Sequence, residues 1–209
     1  QDSDPLIEST VGYLSLEALE LKPVDVVPIS RSVNPILAIE IEKTDGTPVF
    51  SFAAGAPDAS QKIELSPGDY VLKAHSTNYG TAWGDSDRGE PIYYKEFAFH
   101  IEPGKLRYLT VRVPMINAGV ALRLPAVFNE WFSSYTFTLR SGNRSVTLLN
   151  GDAAYINLSA DESTDIQFEL TAVNTDGESF TQSGSFSGLQ PGKLYEVTYA
   201  VETRSLIVR

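Results

Sequence analysis

Between Asn78 and Tyr94 the chain reads Asn-Tyr-Gly-Thr-Ala-Trp-Gly-Asp-Ser-Asp-Arg-Gly-Glu-Pro-Ile-Tyr-Tyr. This sets four aromatic rings, Tyr79, Trp83, Tyr93 and Tyr94, beside three carboxylates, Asp85, Asp87 and Glu90. Rings next to carboxylates and amides suit a sugar, whose C–H face stacks on the ring while polar groups bind its hydroxyls. The same rings can instead pin a long loop to a core by burying their apolar bodies. Both readings remain open on sequence alone. Asp85, Asp87 and Glu90, spaced across Gly89, could gather oxygen ligands around calcium. The full calcium-loop spacing with its closing acid is missing, so calcium is the weaker reading, and no other cofactor is expected.

Catalytic constellations are harder to assemble. The chain has no cysteine, which removes disulfides, thiol nucleophiles and Cys-ligated zinc together, and leaves His75 and His100 as the only imidazoles. Both fall in alternating strand patterns, which reads as ordinary strand placement. Gly184-Ser185-Phe186-Ser187-Gly188 carries Phe where a nucleophile elbow needs its serine. No Gly-rich phosphate loop precedes a helix, and none of the 27 acids is singled out as half of a glycosidase pair. The chain is therefore expected not to be an enzyme. A second aromatic cluster, Phe128, Trp131, Phe132 and Tyr135, either marks a partner interface or plugs the end of a β-sandwich.

Charge narrows the partners. Lys plus Arg number 16 against 27 Asp plus Glu, a net −11 over 209 residues, and that field repels nucleic acid and anionic bilayers. No apolar run approaches the roughly 18 residues of a membrane span. The opening Gln1-Asp2-Ser3-Asp4-Pro5 reads as an acidic flexible leader, as a processed export product or a trimmed chain would begin.

The elements that must carry these residues are strands. Ile101-Glu102-Pro103-Gly104-Lys105-Leu106 and Leu189-Gln190-Pro191-Gly192-Lys193-Leu194 nearly copy each other, and Leu65-Ser66-Pro67-Gly68 repeats the grammar. An apolar residue, Pro-Gly and then alternation describes a strand end, a tight turn and a new strand. Period-2 alternation predicts strands over 12–20, 37–42, 49–52, 62–65, 69–76, 92–101 and 106–115. In the second half it predicts them over 118–124, 135–140, 146–149, 153–158, 165–173, 178–186, 194–202 and 206–208. Only 126–133 carries a helical pattern. The opening Gly12-Tyr13-Leu14-Ser15-Leu16 is echoed by Gly119-Val120-Ala121-Leu122. The expectation is an all-β chain of two tandem antiparallel β-sandwiches, immunoglobulin-like or transthyretin-like, with a leader over 1–11, a first sandwich over 12–116 and a second over 117–209. The boundary falls at Pro114 to Asn117. Two inserts, Lys22 to Asn34 and Asn78 to Pro91, are where a ligand site would sit, since loops vary freely on a rigid sheet platform.

Gly12-Tyr13-Leu14-Ser15-Leu16, Ile63-Glu64-Leu65-Ser66-Pro67-Gly68-Asp69-Tyr70-Val71-Leu72-Lys73-Ala74, and Pro91-Ile92-Tyr93-Tyr94 leading to Phe99-His100-Ile101-Glu102-Pro103-Gly104 together carry a resemblance. From about Gly12 to Glu202 the chain resembles a lipoprotein family of Bacteroides-type gut bacteria catalogued as domain of unknown function 4493. Its plan is also similar to transthyretin-like and carboxypeptidase-regulatory-like sandwiches and to the tandem sandwiches of Bacteroidetes fimbrial subunits. The resemblance implies export, and a lipid anchor on a cysteine just before Gln1 that holds the protein at the outer membrane and cell surface. It further implies an adhesion, fimbria-like or spacer role with a surface glycan or protein partner, or a glycan-binding accessory role in polysaccharide utilisation. Some relatives continue into a further carbohydrate-related domain. Val113-Pro114 stands where family members often carry a cysteine. The resemblance brings no catalytic residues.

Overall fold

The computed structural model describes residues 11–21, 37–53, 62–158, 163–200 and 204–209. The acidic leader and the Lys22 to Asn34 insert lie outside the described residues. The described residues form fifteen strands and one short helix: β1 Gly12–Leu21, β2 Leu37–Lys43, β3 Pro48–Phe52, β4 Lys62–Leu65, β5 Gly68–Ser76, β6 Tyr94–Ile101, β7 Leu106–Val113, β8 Ala118–Arg123, α1 Phe128–Trp131, β9 Phe132–Ser141, β10 Arg144–Leu148, β11 Ala153–Ile156, β12 Ile166–Asn174, β13 Ser179–Phe186, β14 Leu194–Ala200 and β15 Ser205–Val208. Alternation placed nearly every one of these. The core side chains Leu37, Ile39 and Ile41 of β2 are buried, while Glu40 between them is exposed.

Each half of the chain builds two sheets, in the orders β4-β1-β7 with β3-β2-β5-β6, and β11-β8-β14-β15 with β10-β9-β12-β13. Replacing each strand of the first half by the one seven later reproduces the second half, with β15 as the single addition among the described residues. Each half closes over its own core. Leu14, Ile39, Ile41, Leu72 and Val113 are among the fully buried residues of the first, and Val120, Leu122, Phe137, Leu148 and Leu170 among those of the second.

The pairing is antiparallel except at one ladder in each half. There the first strand runs parallel to the last, β1 with β7 and β8 with β14. A parallel pair needs a long crossover, and the intervening strands, which pass through the facing sheet, supply it. Alternation alone encodes burial and not partner direction, so this feature was invisible in the sequence.

The duplicated turns coincide closely. Gly104 N donates to Val11 O at 2.8 Å and Tyr13 N to Lys105 O at 2.9 Å; Gly192 N donates to Asn117 O at 2.9 Å and Gly119 N to Lys193 O at 2.9 Å. Gly104 and Gly192 have φ of 68° and 75°, a left-handed conformation that glycine adopts without cost, and each turn leads into the last repeated strand of its half. Gly68 also has positive φ, but at 148°, so its turn is of another kind. The matched hydrogen bonds correct the sequence echo by one residue. Gly119 is the structural counterpart of Tyr13, since each pairs with the first residue of the last repeated strand, Leu194 or Leu106. Aligning Gly12 with Gly119 would set Leu14 against Ala121, whereas the true register sets it against Val120, and both are fully buried.

The described residues cluster into two compact units. The described residues up to Tyr79 and those of Tyr93–Pro114 belong to the first, and those of Gly80–Ile92 and Met115–Arg209 to the second. The β5–β6 connection thus leaves the first unit after Tyr79, packs as part of the second, and returns at Tyr93.

Candidate functional site

The partition of that connection divides the aromatic loop. Tyr79, Tyr93 and Tyr94 belong to the first unit, and Trp83, Asp85, Asp87 and Glu90 to the second.

In the first unit β5 ends and β6 begins around Ser76, one of the few buried polar residues. Ser76 N donates to Tyr93 O at 3.0 Å, its Oγ accepts from Tyr93 N at 2.9 Å, and Tyr79 N donates to Ser76 O at 3.1 Å. These bonds satisfy backbone groups that the strand ends would otherwise leave bare. They also set the alternation at the start of β6. Tyr93 packs against the first core, and burial raises its phenol pKa above the ordinary value. Tyr94 falls on the opposite, outer face, across the ladder from His75.

Tyr79 lies over Tyr94 with ring centroids 4.3 Å apart and planes 9° from parallel. The Tyr79 side chain is nonetheless exposed, at 45%. The Tyr94 hydroxyl donates to Glu96 Oε1. Burial first, then the adjacent Glu96 carboxylate, raises the Tyr94 pKa far above the ordinary phenol value, because each penalises a phenolate there. The His75 ring sits 5.5 Å from Tyr79. Its Nδ1 is 2.9 Å from Ser76 O, which can only accept, so Nδ1 carries the proton and Nε2 faces Glu40 at 3.8 Å. Lys73, next along β5, pairs with Glu42 at 2.7 Å. The result is an aromatic shelf on the outer face of a rigid sheet, edged by carboxylates.

In the second unit the remaining residues of the connection are used to dock it. Trp83 Nε1 donates to Asn157 Oδ1 at 3.0 Å, and Asn157 Nδ2 donates to Thr81 O at 3.2 Å. Gly89, with φ of 72°, brings its backbone so close that a Cβ would lie 3.0 Å from the Trp83 ring. Asp87 Oδ2 accepts from Gly84 N at 2.9 Å, closing a tight turn, while Asp85 O accepts from Ser145 N at 2.8 Å. Arg144 donates to the carbonyls of Tyr155, at 2.7 Å, and Asp87, and Arg88 pairs with Asp152 at 2.9 Å. Asn117, 1% exposed, accepts from Ile92 N at 3.0 Å and donates to Glu90 O at 2.9 Å. Asp85 and Glu90 therefore enter these contacts through their carbonyls. Among the described residues no three acidic or imidazole side chains gather as a cation cluster.

Sequence reasoning missed Asn117, Asn157, Arg144 and Glu96. Asn117 left a signal, being the only polar side chain in Met115-Ile116-Asn117-Ala118 ahead of a buried strand. The second aromatic cluster divides as well. Phe128 is buried, Phe132 and Tyr135 pack against the second core, and Trp131 is 42% exposed.

These observations define an all-β protein of two topologically duplicated sandwiches with an aromatic shelf on one sheet. A family described as a domain of unknown function, DUF4493, matches residues 10–207, and the chain belongs to it. Among solved structures it is similar to a DUF1812 protein of Bacteroides thetaiotaomicron provisionally named polysaccharide binding, with 10% identity, TM-score 0.51, and 90% of this chain and 91% of that one covered. It is also similar to a provisionally named adhesin of Bacteroides ovatus, with 9% identity, TM-score 0.49, and 95% and 91% covered. A provisionally named cell adhesion protein of Bacteroides eggerthii gives 11% identity, TM-score 0.48, and 91% and 85% covered. No curated protein matches the chain. At 10% identity the likeness to the DUF1812 protein speaks to the fold alone.

Proposed function

We propose that the chain is a non-enzymatic cell-surface module, adhesion-like, fimbria-like or a structural spacer, exported and held at the outer membrane by a lipid on a cysteine ahead of Gln1. The observation that carries this reading is β15. The two halves share one topology, and among the described residues the only strand outside the repeat lies antiparallel on the outer edge of β14, with Glu196 and Arg209 exchanging both backbone hydrogen bonds at 2.9 Å. An edge that takes an added strand is the structural requirement for association by strand addition, in which backbone hydrogen bonds provide affinity. The charge of −11 fits a soluble surface and a partner other than nucleic acid. The reading is tested by antibody labelling of intact cells that express the complete reading frame, with and without the cysteine ahead of Gln1 changed to serine. Labelling that depends on that cysteine is expected, and a protein found only inside intact cells overturns the proposal.

The Tyr79–Tyr94 shelf favours a second reading, a glycan-binding accessory module of a polysaccharide-utilisation system. A stacked, half-exposed ring beside carboxylates offers a pyranose both a C–H face partner and hydroxyl acceptors. Trp83 and Tyr93 are less suited, one holding Asn157 and the other packed on the core. A glycan array read with Tyr79→Ala decides this. Binding lost with the ring supports it, and no binding to any glycan removes it. A calcium role for Asp85, Asp87 and Glu90 is tested by adding calcium during thermal unfolding, where a raised Tm is the expected sign of a site.

A further inference from the structure

The outer face of the β2-β5-β6 sheet combines two features that act on a ligand together. One is the ring of Tyr79, seated flat on Tyr94 and still 45% exposed. A ring already stacked on one side loses little conformational freedom when a ligand covers it, so the shelf is preorganised. The other feature is charge. Cross-strand register places Glu40 opposite Lys73 and Lys73 opposite Glu96, with His75 and Tyr94 in the next row and Asp69 opposite His100 further along. Lys73 is occupied by Glu42 at 2.7 Å, and His100 Nδ1 meets Asp69 at 2.7 Å. Glu96 takes the Tyr94 hydroxyl, and Glu40 stands 3.8 Å from His75 with its side chain 56% exposed. Around the rings the balance is therefore negative. It stays negative along β2 and β3, where a shallow depression is lined by Glu40, Glu42, Val49 and Ser51.

We propose that this face binds a hexosamine with a free ammonium group, its ring stacked on Tyr79 and its ammonium held by Glu96, which lies at the Tyr94 end of the shelf. This deepens the glycan-binding reading and rests on it. A neutral sugar would use the ring and hydroxyl hydrogen bonds to the carboxylates, but would bring no charge to pair with them. A uronic acid, sialic acid or sulfated sugar would meet like charge, which opposes binding. An ammonium beside a tyrosine face and a carboxylate gains from both the ring quadrupole and the ion pair.

The test titrates the full chain, by calorimetry, with a glucosamine hexamer, its fully N-acetylated counterpart and a galacturonate hexamer. The glucosamine hexamer is expected to bind at least tenfold more tightly than the acetylated one, and the galacturonate hexamer not at all. Tyr79→Ala leaves the net charge unchanged, and is expected to weaken glucosamine-hexamer binding at least tenfold. Glu96→Gln is expected to narrow the gap between free and acetylated hexamers. Trp83→Phe is expected to leave glucosamine-hexamer binding unchanged. Binding of glucosamine hexamer that survives Tyr79→Ala is diffuse attraction to an acidic protein and overturns the inference. Equal or better binding of the acetylated or uronate hexamer, lost with Tyr79, also overturns it while leaving the glycan-binding reading intact. No binding of any hexamer overturns it too, and the array then decides separately whether the glycan-binding reading survives.

Discussion

Trp83 and Asn157 are 74 residues apart in sequence, yet the indole nitrogen of one donates to the side-chain oxygen of the other at 3.0 Å. The same Asn157 oxygen lies 3.4 Å from the Asn117 amide, so two side-chain amides and an indole tie the Gly80–Ile92 segment into the second unit. Trp83→Phe removes the N–H donor together with the pyrrole half of the indole, so it should lower stability by at least about 1 kcal/mol, read by urea unfolding. Gly89→Ala should cost about 1–3 kcal/mol, because it meets both a φ of 72° and a Cβ site 3.0 Å from the indole and 3.1 Å from Tyr155 O. If Gly89→Ala unfolds at the same urea concentration as the parent, the close approach is not a constraint.

Gly12 and Gly119 occupy neighbouring rather than equivalent positions of the repeat, and their surroundings differ in kind. A Cβ on Gly12 would fall 2.4 Å from the backbone oxygen of Glu102 and 2.4 Å from Ile101 Cγ2. On Gly119 it would fall 2.4 Å from Leu194 Cδ1, the far end of a flexible side chain, and 3.0 Å from the Tyr155 ring, with no backbone atom among its nearest neighbours. Backbone yields less readily than a leucine terminus. Gly12→Ala should therefore destabilise by about 2–3 kcal/mol and Gly119→Ala by about 1 kcal/mol or less. Thermal unfolding of the two variants checks the order, and a reversed order would show that the first turn adjusts more easily than the second.

Much of this architecture was legible before any coordinates, and the reasons are local. Strands such as β4 and β5 announce themselves because residues facing one core recur every second position, and Pro103-Gly104 and Pro191-Gly192 mark the turns because few residues other than glycine accept their φ. What was not legible depends on distant partners. The parallel β1–β7 and β8–β14 ladders, the one-residue correction to the repeat, and the division of the aromatic loop after Tyr79 are each fixed by hydrogen bonds to residues far along the chain. The shelf was half visible. Tyr79 and Tyr94 stood out as rings, but the stacking of one on the other follows from Ser76 bonding with Tyr93 and Tyr79, and Glu96 reaches Tyr94 only because alternation puts both on the outer face.

Tyr94 should betray its surroundings on alkaline titration. Burial and the Glu96 carboxylate hold its folded-state pKa above the ordinary value of about 10, so the folded state favours the neutral phenol. Its contribution to stability is present below the unfolded pKa of about 10, and is lost as pH rises from there through the folded value. Phenolate absorbance at 295 nm should show the Tyr94 step as the latest, beyond those of Tyr93 and Tyr199, whose pKa values burial also raises. Tyr94→Phe should remove that late step. Glu96→Gln should move it to lower pH but leave it late, since burial is the larger cause; an unchanged late step would place its origin elsewhere.

The added strand makes the last prediction. Leu206 and Val208 of β15 pack against the second core, and β15 pairs with β14 from Val197 to Ala200. A chain stopped after residue 203 loses this apolar packing and exposes the backbone groups of the β14 edge. An uncovered edge is a template for pairing with another chain. Sedimentation velocity should show the shortened chain self-associating while the full chain does not, and a synthetic peptide of residues 204–209 should return it to a single species. Restoration by the peptide is what separates edge pairing from general instability. A peptide with Leu206 and Val208 both changed to Asp keeps the backbone donors and acceptors but cannot pack against the core, so it should fail. A shortened chain that stays monodisperse and folded would mean that β14 needs no partner, and that an added strand is not what this edge is built to take.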